Sequence, residues 1–389
     1  MKTTLLNNLT NLTDSLPLHL FMKSGKNVPI RTESAWEEEK TEILERANWL
    51  CSKVLVEPKK LLKGMPSILG EEYGGQWAIY SCSMLSAALL NISRLYPEEK
   101  EHCIERLEQL VRITLSPEIR HYDTIQWKKD ALETLSGNRG HMTYLSILAW
   151  VISNYKLAGG TSSDFDPMFL DCCEALNRRT LLSKNLCLPS FPNGIIFLPD
   201  MLVTIVALKN HGILFDDCYD GIVGEWIEKA KDEWIHHNTG LLYSQFHPRS
   251  TPQAPRGCYT ALSCYYLTLV DEHYAQQQYE RMMTTLAKEE NISGKNVFGI
   301  KEYLKANPKM KLDVNAGPIF YGFSPSGSAW AIGSATFFED WETRSRLLRT
   351  AEMAGGSVKH NGKRHYRLAS FALVGEAVVL AMRTHSRSF

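Results

Sequence analysis

Two kinds of helix pattern alternate along this chain, and that alternation constrains its fold more than any other feature. One kind is amphipathic and charged on one face, which is typical of a helix with one side in solvent. The other is apolar or small on nearly every face, so such a helix has to be buried among neighbours. The amphipathic patterns span 35–56, 98–115, 166–182, 217–235, 272–288 and 341–354, and the apolar patterns span 74–95, 140–157, 199–211, 257–270, 325–338 and 369–384.

The strict order of outer and then inner helices predicts an all-α fold. Helices buried on every side need neighbours on both flanks and a further layer outside them, and short connections make successive helices adjacent. The spacing of the apolar patterns is too irregular for a solenoid of short repeats. We therefore predict an (α/α)6 toroid of six helical hairpins, with the inner helices at its centre.

The domain organisation follows from the absence of a linker in the sequence. Gly, Pro and Ser residues are spread through short loops, which predicts a single toroid domain over 35–389 with an N-terminal extension over 1–34. Two loop segments, 187–197 and 241–248, alternate polar and apolar residues. They are predicted to form short β-hairpins or extended arms at one rim.

Composition narrows the class of partner. Lys plus Arg and Asp plus Glu both number 43, which removes the electrostatic attraction that nucleic acids and anionic membranes require. We expect a small-molecule substrate, no nucleic acid and no membrane span, and the 44% hydrophobic content leaves room for a homo-oligomer. Nine scattered cysteines without a Cys-x-x-Cys pair, and an N-terminus without an apolar signal segment, predict a cytoplasmic protein.

The loops that precede the inner helices are long and polar, so function is predicted at the rim where these helices begin. Glu71, Glu72 and Tyr73 precede the first inner helix, where its positive end and adjacent glycines favour a ligand. Trp77 and Tyr80 follow one turn apart as candidate pocket walls. Helix capping and core packing are the alternative interpretations.

A histidine and an aspartate are the strongest candidates for proton transfer. His141 begins a helix that is otherwise apolar, and its unperturbed pKa lies near neutrality. Arg139 and Tyr144 are close enough in sequence to orient a polar group beside it. Asp200 directly precedes another apolar helix, where burial would raise its pKa and suit it to act as an acid. A buried structural histidine and a capping aspartate are the alternatives.

Further candidates for substrate contact lie in the remaining loops of this rim. The loop over 313–327 is also rich in small residues, which suit tight backbone packing or a ligand-facing nest. The sequence contains no metalloprotease, nucleophile-elbow, P-loop or dinucleotide-binding motif, and its histidines lack metal-ligand spacing. We therefore expect neither a metal nor a cofactor. The further candidates are Phe197, Arg256, Tyr259, Asn315 and Tyr321.

Residues 65–385 resemble a group of (α/α)6 proteins that includes linalool dehydratase-isomerase. The resemblance rests on 73–80, 139–144, 192–193 with Phe197, and 316–327. It implies acid–base chemistry without a cofactor, by which that family moves a hydroxyl group and a double bond on a terpene alcohol.

The resemblance also assigns roles to individual residues. His141 matches the family histidine, and Tyr73 takes the place of its early tyrosine. Ser190 and Pro199 stand where the family's cysteines are expected, so the thiol chemistry of the family does not carry over, and Asp200 next door is the candidate substitute.

The predicted function is a cofactor-independent lyase, isomerase or cyclase that acts by acid–base catalysis on a small, largely apolar, isoprenoid-like substrate. His141, Asp200, Glu72 and Tyr73 are its predicted catalytic residues, and Glu71 is assigned to substrate binding with the other rim residues.

Two alternatives stay open. One is a carbohydrate-active enzyme, a glycosidase, epimerase or polysaccharide lyase, in which Glu71 or Glu72 is paired with another rim carboxylate and a tryptophan forms a sugar platform. The other is a toroid that binds a ligand or serves as a scaffold without catalysis. The carbohydrate hypothesis draws its second carboxylate from Asp123, Asp130 and Asp200 and its platform from Trp77 and Trp127.

Overall fold

The apolar patterns form the central helices of the protein. The computed structural model describes residues 33–65, 71–215, 219–247, 250–305, 312–313, 316–370 and 373–387. It is mostly helical, as predicted. The outer helices are α1 (Glu33–Val54), α4 (Lys100–Thr114), α7 (Asp166–Leu182), α9 (Asp220–Glu233), α11 (Glu272–Leu286) and α13 (Trp341–Gly355). The inner helices are α3 (Glu71–Leu95), α6 (Met142–Leu157), α8 (Leu198–Phe215), α10 (Gly257–Thr268), α12 (Pro325–Phe337) and α14 (Leu373–Arg383).

The inner helices contact one another in chain order. α3 packs against α6, α6 against α8, α8 against α10, α10 against α12 and α12 against α14, and α14 returns to α3. Outer helices lie against them: α4 contacts α3 and α6, α7 contacts α6 and α8, and α1 contacts both α3 and α14. Every residue of α10 is buried, as an apolar pattern on all faces requires.

One cluster of buried apolar side chains extends through these layers from Ile43 to Met382. Among the described residues, α8 is the one helix long and apolar enough to cross a membrane, and 67% of that window is buried inside the protein. Contacts with α6, α7, α9 and α10 account for its apolar composition.

Two further helices, α2 (Pro58–Lys63) and α5 (Pro117–Trp127), precede inner helices. The two predicted arms do not form hairpins of their own. Each contributes two residues, Ile196–Phe197 (β1) and Gln245–Phe246 (β2), and these pair with each other in an antiparallel ladder. Local backbone bonds add to this pairing, since the Ser190 amide donates to the Ile195 carbonyl and the Gln253 amide donates to the Gln245 carbonyl, each at 2.8 Å.

The structure also contains strands that the helical patterns did not predict. A hairpin of β3 (Ala287–Ile292) and β4 (Lys295–Lys301) follows α11, and β7 (Phe323–Ser324) pairs with β4 at the edge of this hairpin. A second hairpin precedes α14. The other strands are β5 (Leu312–Asp313), β6 (Gly317–Pro318), β8 (Ser357–His360) and β9 (Lys363–Tyr366).

Some of the sequence predictions fall outside the described residues. The predicted extension over 1–34 does so except for its last two residues, which begin α1. Asn315 lies outside as well. Glu71 and Glu72 are the first two residues of α3, and their side chains are not described.

Candidate active site

Asp200 lies in the first turn of α8 and is held by hydroxyl groups from other elements. Tyr80 on α3 donates to its Oδ1 at 3.0 Å, and Thr143 on α6 donates to its Oδ2 at 3.2 Å. Ser190 adds a third hydrogen bond. The contacts therefore cross between elements, and this geometry differs from the capping alternative, in which the carboxylate would accept from its own helix.

The surroundings of Asp200 favour its neutral form. Burial raises the pKa of this carboxyl above its ordinary value, and the three hydroxyl hydrogen bonds oppose that shift without overcoming it. No cation among the described residues contributes to the shift. A carboxylic acid with such a raised pKa has its proton available closer to neutral pH than a solvated aspartate has.

His141 is bound to a second aspartate, Asp123. Its Nδ1 lies 2.5 Å from Asp123 Oδ2, and the two residues are 3% and 1% exposed. Burial raises the pKa of Asp123, and the hydrogen bond and charge of His141 oppose that shift. The imidazole also packs against Trp127, with ring centroids 5.4 Å apart. Because Asp123 occupies Nδ1, Nε2 is the nitrogen left for a substrate.

The backbone at His141 is strained, with φ +61° in the left-handed region at the N-cap of α6. Gly140 before it has φ +79°, and a Cβ there would lie 2.9 Å from the Trp127 ring. Arg179 on α7 fixes this loop: its Nη1 donates to the Gly140 carbonyl at 2.7 Å and its Nε to the Gly137 carbonyl at 3.0 Å. The conformation of His141 is therefore imposed by its surroundings.

His141 and Asp200 lie at the same end of the helical assembly. His141 precedes α6, and Thr143, two residues later, bonds directly to Asp200. The structure therefore places these two predicted residues near each other, although 59 residues separate them in the sequence.

Aromatic side chains surround Asp200. Phe197 and Tyr259 have ring centroids 5.2 Å apart, and Trp77 is half-buried one turn before Tyr80. Gly75 was expected to let backbone approach a ligand; instead, a Cβ there would lie 2.5 Å from the Cβ of Tyr122, so this glycine accommodates a side chain of the protein itself.

Arg256, a predicted substrate-binding residue, is bound by two carboxylates. Its Nε lies 2.7 Å from Glu302 Oε1, and its Nη2 lies 2.9 Å from Asp313 Oδ1. The Cys258 thiol donates to the same Glu302 at 3.1 Å, and burial together with the Glu302 charge raises the pKa of this thiol. The cluster ties β4 to the start of α10, and the thiol in it is held protonated.

Three predicted substrate-binding residues lie apart from Asp200 and His141. Arg139 is exposed and Tyr144 donates its hydroxyl to the Thr114 carbonyl at 3.0 Å, so neither orients His141. Tyr321 is 59% exposed in a turn with φ +52°. The reason is local in each case, since a charged loop residue stays in solvent and a buried hydroxyl takes the nearest carbonyl.

Tyr73 lies half-buried in the first turn of α3, beside two residues with undescribed side chains. Asp130, proposed for carbohydrate chemistry, is bound by Arg120 at 2.7 Å and accepts from the Leu132 amide. It is therefore a structural residue of the loop. Sequence analysis missed Thr143 and Arg179, and the signal for Thr143 was its position two residues after His141. It named Ser190 only as a replacement for a family cysteine and did not predict its hydrogen bond to Asp200.

A groove of about 330 Å³ lies beside the β1–β2 arm and is lined by Asn193, Gln245 and His247 among others. None of its lining residues is a predicted catalytic residue. In the described part of the chain, no group of three or more His, Cys, Asp or Glu residues could hold a metal ion.

No protein-family model matches this chain, and no curated protein matches it either.

Proposed function

We propose that this protein is a cofactor-independent lyase, isomerase or cyclase that uses Asp200 as a general acid on a small, largely apolar, isoprenoid-like substrate. The observation that carries the proposal is the setting of Asp200: a half-buried carboxyl with a raised pKa, three hydroxyl partners and no contributing cation among the described residues. A carboxyl whose pKa is raised keeps its proton to a higher pH and is better suited to act as a general acid.

The proposed reaction uses two groups. Asp200 gives its proton to a hydroxyl oxygen of the substrate, the C–O bond breaks and water leaves. Nε2 of His141 takes a proton from the adjacent carbon, whose C–H electrons form the new double bond. Asp123 holds the other ring nitrogen and stabilises the imidazolium. Solvent exchange returns the proton from His141 to Asp200.

The finer architecture is part of this proposal. Six inner helices in cyclic contact, with outer helices against them, support an (α/α)6 toroid whose mouth is formed by the loops before the inner helices. A cytoplasmic location is proposed on the scattered cysteines without a Cys-x-x-Cys pair, of which those described are free and buried.

The aromatic side chains near Asp200 suit an apolar substrate, and Trp77 among them is also the platform that the carbohydrate hypothesis names. That hypothesis pairs Glu71 or Glu72 with Asp123, Asp130 or Asp200. Asp123 is bound to His141 and Asp130 to Arg120, which leaves Asp200 as the partner carboxylate.

The experiment incubates the protein with isoprenoid alcohols of five to fifteen carbons in D₂O and follows water loss and carbon-bound deuterium by mass spectrometry. Wild type should convert at least one alcohol, Asp200→Asn should be about 10²-fold slower or worse, and Asp171→Asn, at an exposed position on α7, should match wild type. Equal rates for wild type and Asp200→Asn would refute the role of Asp200. Release of sugar from polysaccharides in a parallel assay would support the carbohydrate hypothesis instead.

A further inference from the structure

Three tyrosine hydroxyls near Asp200 are buried without a hydrogen-bond partner among the described residues. They belong to Tyr122 on α5 and to Tyr259 and Tyr266 on α10. These residues are 4%, 7% and 1% exposed, so bulk water does not solvate their hydroxyls freely. Their rings fill core volume, which phenylalanine would also do, and the hydroxyl groups therefore need a separate explanation.

The three hydroxyls share one region of the molecule. Tyr259 and Tyr266 are seven residues apart, which places them on one face of α10. The Tyr259 ring contacts Phe197, three residues before Asp200, and the Tyr266 ring lies 5.4 Å from that of Trp150 on α6. After burial, the charge of Asp200 is a further cause of the raised pKa of all three phenols.

An unpartnered buried hydroxyl has a cost. Each such group destabilises the folded state by about 1–3 kcal/mol relative to a satisfied one, and native proteins contain few of them. Three together near the half-buried carboxyl of Asp200 therefore point to groups that are satisfied when a ligand is bound.

The charges around this region restrict the ligand. Arg256, next to Tyr259 in space with its guanidinium 5.2 Å from the ring centroid, is already bound to Glu302 and Asp313. Phenols offer hydrogen bonds without a net charge, and burial disfavours the charged form of Asp200. The site therefore suits an uncharged polar group better than a phosphate or a carboxylate.

We propose that the ligand of this site is an uncharged molecule with two separate hydrogen-bonding oxygens, a diol, hydroxy ether or hydroxy ketone on an apolar skeleton. One oxygen lies against Asp200, Tyr80 and Thr143, and the second lies against one of the two phenols on this face of α10, that of Tyr259 or that of Tyr266. This inference deepens the proposed function by naming the substrate class, and its binding component does not depend on turnover.

The test compares the binding of 1,8-octanediol and 1-octanol, which share one chain length and differ in the second hydroxyl. Calorimetry and thermal shift should show the diol binding wild type about tenfold more tightly, the value of about one to one and a half kcal/mol for a hydrogen bond. One of the two variants Tyr259→Phe and Tyr266→Phe should lower diol affinity about fivefold to tenfold, and neither should change octanol affinity.

The matched control is Tyr274→Phe. Tyr274 on α11 also has a buried, unpartnered hydroxyl among the described residues, but Asp200 does not contribute to its raised pKa. This change should alter neither affinity. In the free protein, the Phe variants of Tyr259, Tyr266 and Tyr274 should melt at or above the wild-type temperature, because each removes an unsatisfied buried hydroxyl.

Equal affinity of wild type for diol and mono-alcohol, or no binding of either, would overturn the inference. So would a fall in the melting temperature of free Tyr259→Phe and Tyr266→Phe with both affinities intact, since the hydroxyls would then be structural. Wild type separates the two proposals: selective diol binding by wild-type protein that converts no alcohol would refute the proposed function and leave this inference standing.

Discussion

The Thr143 hydroxyl donates a hydrogen bond to Asp200 Oδ2 at 3.2 Å and so connects the first turns of α6 and α8. Thr143 is also two residues from His141, so its contact with Asp200 limits how far apart the proposed acid and the proposed base can lie in space. One side chain therefore couples the positions of two groups that lie 59 residues apart, and a shift of either helix would disturb both.

The Asp200→Asn variant should be more thermostable than wild type at neutral pH. The folded-state pKa of Asp200 is raised, so the unfolded chain binds fewer protons than the folded one as pH rises above about 3.8. Asp200 therefore costs stability progressively at higher pH, and asparagine does not. Melting temperatures between pH 4 and 8 should diverge with rising pH. A lower melting temperature for the variant at every pH would instead indicate a structural role.

The Asp123→Asn variant should lower turnover by about 10²-fold or more while His141 stays in place. An amide can present its NH₂ group to Nδ1 and so favour the wrong tautomer, and it cannot stabilise an imidazolium. Nitrogen-15 NMR of the His141 ring reports the tautomer directly. A ring spectrum identical to that of wild type, together with full activity, would contradict a positioning role for Asp123.

The helices were predictable because their signal is local. Residues 166–182 were predicted as an outer helix and form α7 with the same bounds, since Asp166-Pro167 supplies a helix start and the apolar positions repeat at helical spacing. The pairing of Asp123 with His141 was not predictable in this way. α5 buries only three residues, Ile119, Tyr122 and Asp123, and one of them is a charged residue that a hydropathy pattern assigns to solvent.

The hairpin of β8 and β9 shows a second limit of prediction from sequence. Asn361-Gly362 is a two-residue turn signal, and both residues have positive φ, 48° and 68°. The flanking strands, Ser-Val-Lys-His and Lys-Arg-His-Tyr, lack an apolar alternation, so the turn was the only usable clue. Tertiary contact with α1 makes up for the weak strand propensity.

The Arg179→Lys variant should lose both activity and stability, by about 10-fold in turnover and about 3 kcal/mol in unfolding free energy. Lysine cannot reach the Thr134, Gly137 and Gly140 carbonyls at once. Arg178→Lys is the matched control, because Arg178 is half-buried and binds the same loop at Leu135 and Asn138. If both variants change the His141 ring spectrum equally, Arg179 has no special role in fixing that residue.

His385 should make the protein acid-sensitive. It is buried against Thr268, and burial, with the charge of Arg94 as a second cause, lowers its pKa to about 3 from an ordinary value of 6.5. Between these values the unfolded chain binds the proton that the folded chain refuses, so stability falls as pH drops, by up to about 1.4 kcal/mol per pH unit. Urea titrations at pH 7, 6, 5 and 4 measure this slope. His385→Gln should flatten it, and an unchanged slope would assign the acid sensitivity to other groups.

Removal of a single carboxylate should weaken the contact between the first outer helix and the last inner one. Arg46 on α1 is fully buried, and its Nη1 lies 2.6 Å from Glu376 Oε1 on α14, whose other oxygen accepts from the Tyr366 amide at 2.8 Å. Glu376→Gln leaves the guanidinium with Glu42 but without its buried partner, which should cost about 3–5 kcal/mol of unfolding free energy.

The control for that prediction is Lys40→Gln, which removes a solvent-exposed ion pair with Glu98 from the same helix. Exposed pairs contribute about 0–1 kcal/mol, so this variant should unfold at nearly the wild-type urea concentration. Hydrogen exchange supplies the location: Glu376→Gln should speed exchange in α1 and α14 ahead of α6 and α8, because the lost contact joins only the first pair. Equal acceleration of exchange in all four helices would show that the assembly opens as one unit and that the α1–α14 contact does not open separately.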